Sequence, residues 1–189
     1  MDQENLLLVQ VKNGDRKAFE LFTERFWKPI YHLAYRFSGS AEDAEDLCQE
    51  IFFSVFQKAE TFRGEGGAFT WLYRLATNTC LNWKRKQKRK ILFLFSMEKG
   101  KAERSAGDQA VIRLEIQDAF YSLQPQDRIL LLLRKFYGFS YDEIGEVFLI
   151  SSDKVKSRLH EAKCRLAEKL KDTKQEGGQS WNAQRSNSV

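Results

Sequence analysis

The chain has 189 residues, a mass of 22.1 kDa and a formal net charge of +5, and 42% of its residues are hydrophobic and 30% charged. These proportions are typical of a folded protein and exclude a disordered or collagen-like chain. The longest apolar runs have five residues, against the roughly 20 that a membrane-spanning helix needs, so we expect no stable membrane insertion.

The first half of the chain is predicted to be helical. Apolar residues spaced by three and four positions indicate helices over 4–13, 16–37, 41–60 and about 68–90. Pro29 is expected to bend or divide the second helix. Ser40 stands three residues before Asp43, the spacing of a capping box, and is expected to begin the third helix. The glycine-rich stretch 63–67 reads as a loop.

The predicted helix 41–60 has two unlike faces. One half of its helical wheel is apolar and includes Leu47, Phe52 and Phe56, whereas the other half holds acidic and amide residues with Phe53 in their midst. An apolar ring among carboxylates suggests a partner surface that is basic at its edge and apolar at its centre. The alternative, in which another part of the chain covers Phe53, is left open.

The next predicted helix, 68–90, combines rings, an amide and cations. Its expected buried stripe leaves Trp71, Tyr73, Arg74 and Asn78 outside or at the edge, and five further cations follow between residues 84 and 89. Rings that stack on unpaired bases, an amide that reads a base edge and cations along phosphates are the parts that hold a single strand. The alternative is that Trp71 and Tyr73 pack in a core.

The second half is also predicted to be helical. Residues 91–109 lose the helical pattern and read as a flexible linker, and periodicity resumes over 111–122 and 125–137, with Gly138 suited to a left-handed helix end. The tail 172–189 is rich in Gln, Gly, Ser and Asn and is expected to be disordered. The predicted fold is therefore all-α, with two small helical domains joined by a linker.

Two further helices, 140–148 and 152–171, form a predicted helix-turn-helix. Ser140 and Glu143 match a capping box, and Ser151 or Ser152 can cap the second helix. The second helix has an apolar seam, and the residues outside that seam suit base edges and phosphates in a major groove: Lys154, Lys156, Ser157, Arg158, His160 and Lys163. An ordinary surface helix with solvated lysines is the alternative.

Several motifs occur in a specific order. They are the run 43–52 (DAEDLCQEIF), Phe62-Arg-Gly, the run 69–78 (FTWLYRLATN), the run 139–144 (FSYDEI) and the run 155–160 (VKSRLH). Over about residues 5–90 and 110–170 the chain resembles the sigma-70 family of bacterial RNA polymerase sigma factors, and specifically its small extracytoplasmic-function group. The resemblance implies a non-enzymatic transcription initiation factor that directs core RNA polymerase to promoters and helps to melt them.

The resemblance also implies roles for the residues that match these motifs. The acidic helix would bind core polymerase through Asp43, Asp46, Gln49, Glu50 and Phe53. Promoter melting and minus-ten recognition would fall to Trp71, Tyr73, Arg74, Asn78, Lys84 and Arg85. The second helix of the helix-turn-helix would read the minus-thirty-five element of duplex DNA. The resemblance further implies control by an anti-sigma protein.

The resemblance divides the chain into four parts. Residues 1–90 would be a region 2-like domain, 91–109 the linker, 110–171 a region 4-like domain and 172–189 the tail. Three departures stand out: the turn at 148–150 lacks the usual glycine, Asp153-Lys154 replaces Gly-Thr, and Glu161 replaces a base. The basic, apolar linker also differs from the acidic linkers common in the family.

Other classes of protein fit the sequence less well. An ordinary helix-turn-helix regulator would leave the acidic face unexplained, and a peripheral membrane protein would use only residues 84–101. His32 and His160 are isolated, the three cysteines have no metal-ligand spacing, and no glycine-rich phosphate loop occurs. We therefore expect no catalytic site, no metal, no cofactor and no small-molecule substrate. We also expect a cytoplasmic location, since the first residues resemble no secretion signal.

Overall fold

The computed structural model describes residues 3–64, 66–95 and 116–186. All regular elements in these ranges are helical. In chain order they are α1 (Gln3–Lys12), α2 (Arg16–Ser38), α3 (Ala41–Lys58), a 3-10 turn (Ala59–Thr61), α4 (Gly67–Phe95), α5 (116–122), α6 (Pro125–Phe136), α7 (Tyr141–Phe148) and α8 (Ser152–Ser186).

The helix ends follow from local sequence. The side chain of Asp15 accepts a hydrogen bond from the backbone N–H of Ala18 at 3.1 Å and begins α2, and that of Ser40 accepts one from Asp43 at 3.3 Å and begins α3. Between the two helices Gly39 has φ 85°, a left-handed conformation that ends α2. The predicted cap at Ser40 is therefore confirmed. Helix α2 continues through Pro29 without dividing.

Two helices are longer than the sequence predicts. Helix α4 runs unbroken through Asn78 and continues to Phe95, so residues 91–95 of the predicted linker are helical. Residues 84–90 are all Lys, Arg or Gln, which are good helix formers, and no Gly or Pro occurs as far as Phe95, so nothing local stops the helix. Helix α8 continues to Ser186, where the tail from 172 was expected to be disordered. Residues 96–109 of the linker and 111–115 of the predicted helix lie outside the described residues.

The first four helices pack around one core. Large apolar side chains of α2 meet the inner face of α3 and the buried stripe of α4. The fully buried members include Phe22, Ile30, Leu33, Phe37, Leu47, Ile51, Val55 and Leu72. The outer halves of α3 and α4 remain available for other contacts.

Helices α6, α7 and α8 form the second module. Leucines on α6 are buried against Ile144 and Val147 of α7 and against Val155 and Leu159 of α8. Gly138 has φ 70° after α6, as predicted, and lets the chain turn back into α7. The predicted apolar seam of α8 is thus confirmed as the face that positions the helix.

The two modules also pack on each other. Helices α2 and α4 contact α6, and α4 contacts α7, so one continuous group of buried residues runs through both modules. Tyr73 on α4 lies with its ring centroid 5.2 Å from that of Tyr137 and 5.0 Å from that of Phe139. The sequence predicts two joined domains, and the structure adds that they share a buried interface.

Candidate functional site

The acidic half of α3 is exposed to solvent. Asp46 and Gln49 are exposed, Asp43 and Glu50 are half-buried, and Phe53 is 61% exposed. The neighbouring Phe52 is 4% exposed, because consecutive residues on a helix lie about 100° apart and only one of the two rings can reach the core. The alternative in which the chain itself covers Phe53 is therefore wrong.

The exposed apolar area extends beyond the residues that the sequence indicated. Phe56, which the wheel assigned to the apolar half, is 53% exposed and packs edge-on against Phe19 of α2, with centroids 5.5 Å apart. Trp27 of α2 stacks on Phe52 of α3, with ring centroids 5.6 Å apart. Glu20 and Glu24 of α2 line a shallow cleft of about 480 Å³ beside Trp27. The acidic–aromatic surface comprises Phe19, Glu20, Glu24, Trp27, Asp43, Asp46, Gln49, Glu50, Phe53 and Phe56.

Helical periodicity alone could not distinguish the exposed rings Phe19 and Phe56 from the buried apolar residues of their helices. Phe19 falls on the same apolar repeat as the buried phenylalanines of α2, but it is only partly buried. The wheel of α3 has its boundary near Phe56, where a few degrees decide whether a ring faces the core. The indication that the sequence did offer was the presence of two phenylalanines, Phe53 and Phe56, within or beside the acidic face of α3.

Two aromatic residues of α4, Trp71 and Tyr73, are covered, as in the core alternative that the sequence left open. Trp71 is 4% exposed and packs edge-on against Phe62 at 5.9 Å, and Tyr73 is 0% exposed. Tyr73 lies against Phe69 of its own helix, with centroids 4.7 Å apart, and against the second module. The core alternative therefore describes both rings in this arrangement. A helical wheel of α4 contains no information about a module more than 60 residues away in sequence.

Other predicted residues of α4 are accessible and line a cleft. Arg74 is half-buried and Asn78 exposed, and both border a cleft of about 720 Å³ between α4 and α7. The cleft is also bordered by Arg63 from the preceding loop and by Glu146 and Leu149 of the second module. Two guanidinium groups, an amide and an indole edge at one opening are suited to a nucleotide, although a carboxylate of the second module shares the space.

The basic end of α4 lies close to the acidic helix. Lys84 is half-buried and Arg85 exposed; the guanidinium of Arg85 donates to the Asn82 side chain at 2.9 Å. Lys86 forms an exposed ion pair with Glu50 of α3, with nitrogen and oxygen 3.3 Å apart. Burial, together with the nearby Arg128 charge, lowers the pKa of Lys84. The cations predicted for phosphate contact therefore form a band that continues from the covered rings.

The outer face of α8 is exposed as predicted. All six residues proposed for duplex recognition lie outside the buried seam, and only Arg158 among them is half-buried. The ammonium of Lys156 donates to Asp153 at 2.9 Å, and this hydrogen bond raises the pKa of Lys156. The hydroxyl of Ser157 donates to the backbone carbonyl of Asp153 at 3.1 Å. The helix thus presents cations and polar groups on one continuous face.

The turn before α8 departs from glycine at a cost. Ser140 and Glu143 form both hydrogen bonds of the predicted capping box of α7. Leu149 ends that helix with φ 55° and ψ 47°, and its N–H bonds back to the Gly145 carbonyl. Gly145 cannot gain a side chain easily, since a Cβ there would lie 2.7 Å from the carbonyl oxygen of Ile150. The turn geometry is retained although a leucine occupies its left-handed position.

Comparison with protein families agrees with this division. The description "Sigma-70 region 2" matches residues 22–90, and "Sigma-70, region 4" matches residues 113–166. The first range contains most of α4 and the acidic–aromatic surface apart from Phe19 and Glu20, and the second contains the helix-turn-helix. Among the described residues we find no helix with the length and apolar character that crossing a bilayer demands.

Curated relatives match over nearly their whole length. The RNA polymerase sigma-H factor of Pseudomonas aeruginosa is 30% identical over 175 residues, which cover 86% of this chain and 91% of that protein. The ECF RNA polymerase sigma factor SigW of Bacillus subtilis is 31% identical over 178 residues, covering 87% and 95%. The ECF RNA polymerase sigma-E factor of Escherichia coli K12 is 31% identical over 173 residues, covering 85% and 90%.

Solved structures share the fold. CnrH, solved in complex with the cytosolic domain of CnrY, superposes with a TM-score of 0.66 at 20% identity, covering 90% of this chain and 99% of that one. The sigma factor RpoE of Bartonella quintana, solved with the anti-sigma factor NepR, superposes with a TM-score of 0.63 at 22% identity, covering 82% and 98%. At these identities the likeness establishes the helical architecture.

Proposed function

The chain belongs to the sigma-70 family of RNA polymerase sigma factors and to its extracytoplasmic-function group, and we propose that it gives core RNA polymerase its choice of promoter and helps to melt the start site. The observation that carries the proposal is Phe53, an aromatic ring 61% exposed in the middle of an acidic helix face. A regulator that only binds duplex DNA has no use for such a face.

The acidic–aromatic surface is the proposed docking site for core polymerase. Phe53 and Phe56 supply apolar area at its centre, and Asp43, Asp46 and Glu50 supply charge around them. Burying one exposed phenylalanine side chain is worth about 2 kcal/mol, and a few such side chains near the centre of an interface carry most of its affinity. The expected partner surface is basic at its rim and apolar at its centre.

Helix α4 is the proposed element for melting and for the minus-ten element. Trp71 and Tyr73 would stack on unpaired bases, Arg74 and Asn78 would contact the base edge and backbone at the cleft, and Lys84 and Arg85 would follow phosphates. Stacking on an aromatic ring is worth about 1–3 kcal/mol per base and requires an unpaired base, so this site favours the melted strand over the duplex.

Helix α8 is the proposed reader of the minus-thirty-five element. Helix-turn-helix proteins place the second helix of the motif in the major groove, and α8 is that helix here. The residues assigned to it are Lys154, Lys156, Ser157, Arg158, His160 and Lys163. Each good bidentate base contact gives roughly 1–3 kcal/mol of discrimination, and two linked modules gain affinity through effective concentration.

The mechanism is positional rather than chemical. We propose that the chain is not an enzyme, needs no cofactor and works in the cytoplasm, where it meets polymerase and promoter DNA. We further propose that an anti-sigma protein controls it. The polymerase performs all bond-forming steps, and this chain supplies binding energy that holds the separated strands.

Run-off transcription with purified core enzyme on a genomic library tests the proposal directly. Addition of the chain is expected to create defined start points that bare core enzyme does not produce. Asn78→Ala and Trp71→Ala are expected to weaken permanganate reactivity of promoter thymines more than they weaken core binding. Absence of selected start points with the cognate polymerase would refute the function.

A second experiment separates this function from that of a polymerase-independent regulator. The chain is expected to copurify with core polymerase, and the triple change of Asp46, Glu50 and Phe53 to alanine is expected to abolish copurification while the helix-turn-helix stays intact. A regulator would bind duplex DNA equally well with or without those three residues and would not retain polymerase.

A further inference from the structure

One of the rings of α4 proposed to hold unpaired bases, Tyr73, is covered by the chain's own second module. Phe69 stacks on Phe139, with centroids 5.0 Å apart and planes at 22°, and Tyr73 lies against both Tyr137 and Phe139. Tyr73 has no exposed area left. A base cannot stack on a ring whose faces and edges already contact other rings.

Arg128 of α6 fastens the second module to the first. Its guanidinium donates to the backbone carbonyl of Phe37 at 3.2 Å, close to the end of α2, and lies 4.8 Å from the Phe37 ring centroid. The residue is 1% exposed. A cation at a helix C-terminus meets the negative end of the helix dipole and unsatisfied carbonyls, which makes this contact directional.

Two further contacts fit the same arrangement. The hydroxyl of Tyr137 donates to the Pro29 carbonyl at 2.9 Å. Gly39 leaves space for Tyr121 of α5, whose Cζ would lie 2.9 Å from a Cβ at that position. Contacts from α5, from α6 and from the turn after α6 thus all reach α2, and together they define one docked orientation.

The interface also carries polar groups that it does not satisfy. The Tyr73 hydroxyl and the Arg128 Nε are buried without a hydrogen-bond partner among the described residues. An unpaired buried polar group favours any arrangement in which it regains water or a ligand. The docked arrangement is therefore held by specific contacts and is also predisposed to open.

The surfaces proposed to bind polymerase and duplex DNA remain exposed in this arrangement. Phe53 is 61% exposed, and the residues proposed for duplex recognition on α8 are exposed or, for Arg158, half-buried. Partners can therefore bind the docked form first, and their binding energy is available to separate the modules if it is larger in the separated form.

We propose that the second module acts as a lid on Tyr73 of α4, with Arg128 as its latch, so that no unpaired base can stack on this ring until the modules separate. This inference deepens the proposed function and rests on it. Occlusion reduces apparent affinity for the strand by the fraction of chains that are open. The lid acts on stacking at Tyr73, whereas the exposed cations of α4 still attract phosphates.

The test compares two labelled single strands of the same length, one of mixed sequence and one with abasic sites throughout. Both carry the same phosphates, so the ratio of their affinities reports base contacts alone. For the free wild-type chain the two affinities are expected to be nearly equal. For Arg128→Ala the strand with bases is expected to bind about tenfold more tightly than the abasic strand, because stacking becomes available.

Arg134→Ala is the matched control. Arg134 also lies on α6, also donates to a backbone carbonyl (Phe139, 2.7 Å) and also faces an aromatic ring (Tyr141, 4.7 Å), but its partners belong to its own module. The substitution Arg134→Ala is expected to lower the stability of the second module without creating a preference for bases. A preference equal to that of Arg128→Ala would overturn the role of Arg128 as latch.

Small-angle scattering gives a readout that does not depend on DNA. Arg128→Ala is expected to have a larger radius of gyration than the wild-type chain at unchanged helical circular dichroism. If Arg128→Ala fails to fold, Tyr137→Phe is measured in its place, because it removes only the hydroxyl that reaches Pro29. Tyr141→Phe is then the control. Tyr137→Phe is expected to shift the radius of gyration and the preference for bases in the same direction as Arg128→Ala, by a smaller amount.

The outcomes separate the inference from the function beneath it. A strong preference for bases in the free wild-type chain would overturn the lid. An unchanged radius and no preference in Arg128→Ala and in Tyr137→Phe would overturn the latch. A larger radius without any preference for bases would instead overturn the strand-binding role of α4, which belongs to the proposed function.

Discussion

Leu149 holds a backbone conformation that leucine adopts at a cost. The left-handed region costs a residue with a Cβ about 1–2 kcal/mol, and glycine in the unfolded chain gives back roughly 0.5–1 kcal/mol of that difference. Leu149 is 75% exposed, so its side chain adds little burial. We expect Leu149→Gly to raise the free energy of unfolding by about 0.5–1 kcal/mol, measured by urea denaturation.

Leu149→Ala is the control for that measurement. Alanine retains the Cβ and hence the strain, but it removes the exposed side chain. It is expected to leave the unfolding free energy nearly unchanged. A stabilisation by alanine equal to that by glycine would show that the side chain, rather than the backbone conformation, is responsible.

The three cysteines differ in accessibility. Cys48 and Cys80 are buried and Cys164 is exposed. Burial, aided by Glu45, raises the pKa of the Cys48 thiol to about 12, and burial also raises that of Cys80. Since the thiolate is the reactive form, we expect one thiol per chain to react rapidly with Ellman's reagent in the folded protein and three in urea.

Cys164→Ser is expected to remove the rapid phase altogether. Rapid reaction of a second thiol in the folded wild-type chain would contradict the packing between α3 and α4. The pKa of both buried thiols is higher in the folded chain than the value of 9.0 expected in the unfolded chain. Their contribution to the free energy of unfolding is therefore present below pH 9.0 and declines as the pH rises beyond it.

Single residues also show where sequence reasoning reaches its limit. The caps at Ser40 and Ser140 were predictable, because each depends on residues three positions apart. The wheel placed Phe53 among acidic residues but left open whether another part of the chain covers it. The rings that cover Tyr73 could not be predicted, because they belong to a segment more than 60 residues later.

At the scale of elements, α3 offers adjacent phenylalanines with opposite environments. Phe53→Ala is expected to leave stability within about 0.5 kcal/mol of wild type and to weaken binding of core polymerase strongly. Phe52→Ala removes a ring that is 4% exposed and is expected to cost about 3–5 kcal/mol of stability. Urea denaturation and a polymerase pull-down measure the two effects.

The matched pair excludes a trivial explanation of lost binding. If Phe53→Ala unfolds the chain as Phe52→Ala does, loss of polymerase reports folding rather than contact. If Phe53→Ala is stable and still retains polymerase at wild-type affinity, the docking role of the acidic–aromatic surface is wrong.

Helix boundaries were predictable where a sequence signal marks them. Gly39 and Gly138 end their helices because only a residue without a Cβ turns there at low cost. The continuation of α4 to Phe95 was not predicted, since a basic composition that suits a linker also suits a solvated helix, and α8 continues to Ser186 through Gly177 and Gly178, which sequence alone indicates as a break. The outward face of α8 could be predicted from its apolar seam without knowing where the helix ends.

At the scale of the whole molecule, the interface between modules is expected to respond to alkaline pH. Burial raises the pKa of both Tyr73 and Tyr137 above the ordinary 10.0, because the docked arrangement excludes water from the phenols. Separated modules would let both phenols ionise near that ordinary value. The interface between the modules therefore has its full stability below pH 10 and loses stability as the pH rises beyond 10.

The near-ultraviolet absorbance of phenolate, followed against pH, checks this expectation. Wild type is expected to show tyrosines that ionise only together with an increase in the radius of gyration. Arg128→Ala is expected to ionise those tyrosines at lower pH, and Arg134→Ala to follow wild type. Identical titrations of all three proteins would contradict an interface held by Arg128.

The relation between the modules could not be predicted from sequence. Both domains could be outlined from periodicity and motifs, but their contact depends on Arg128 reaching a backbone carbonyl, which leaves no residue-type signature on α2. The charge pattern indicated surfaces for nucleic acid and for a protein partner. It carried no information about which of them the chain itself would cover.

Tyr73 thus holds two assignments, one as a contact between modules and one as a proposed platform for bases. Evolution cannot adjust the two independently. An inherited change that strengthens the contact between this ring and the lid should delay transcription, and one that weakens the contact should produce leaky expression. Selection on this position would therefore act on the timing of a response as much as on its strength.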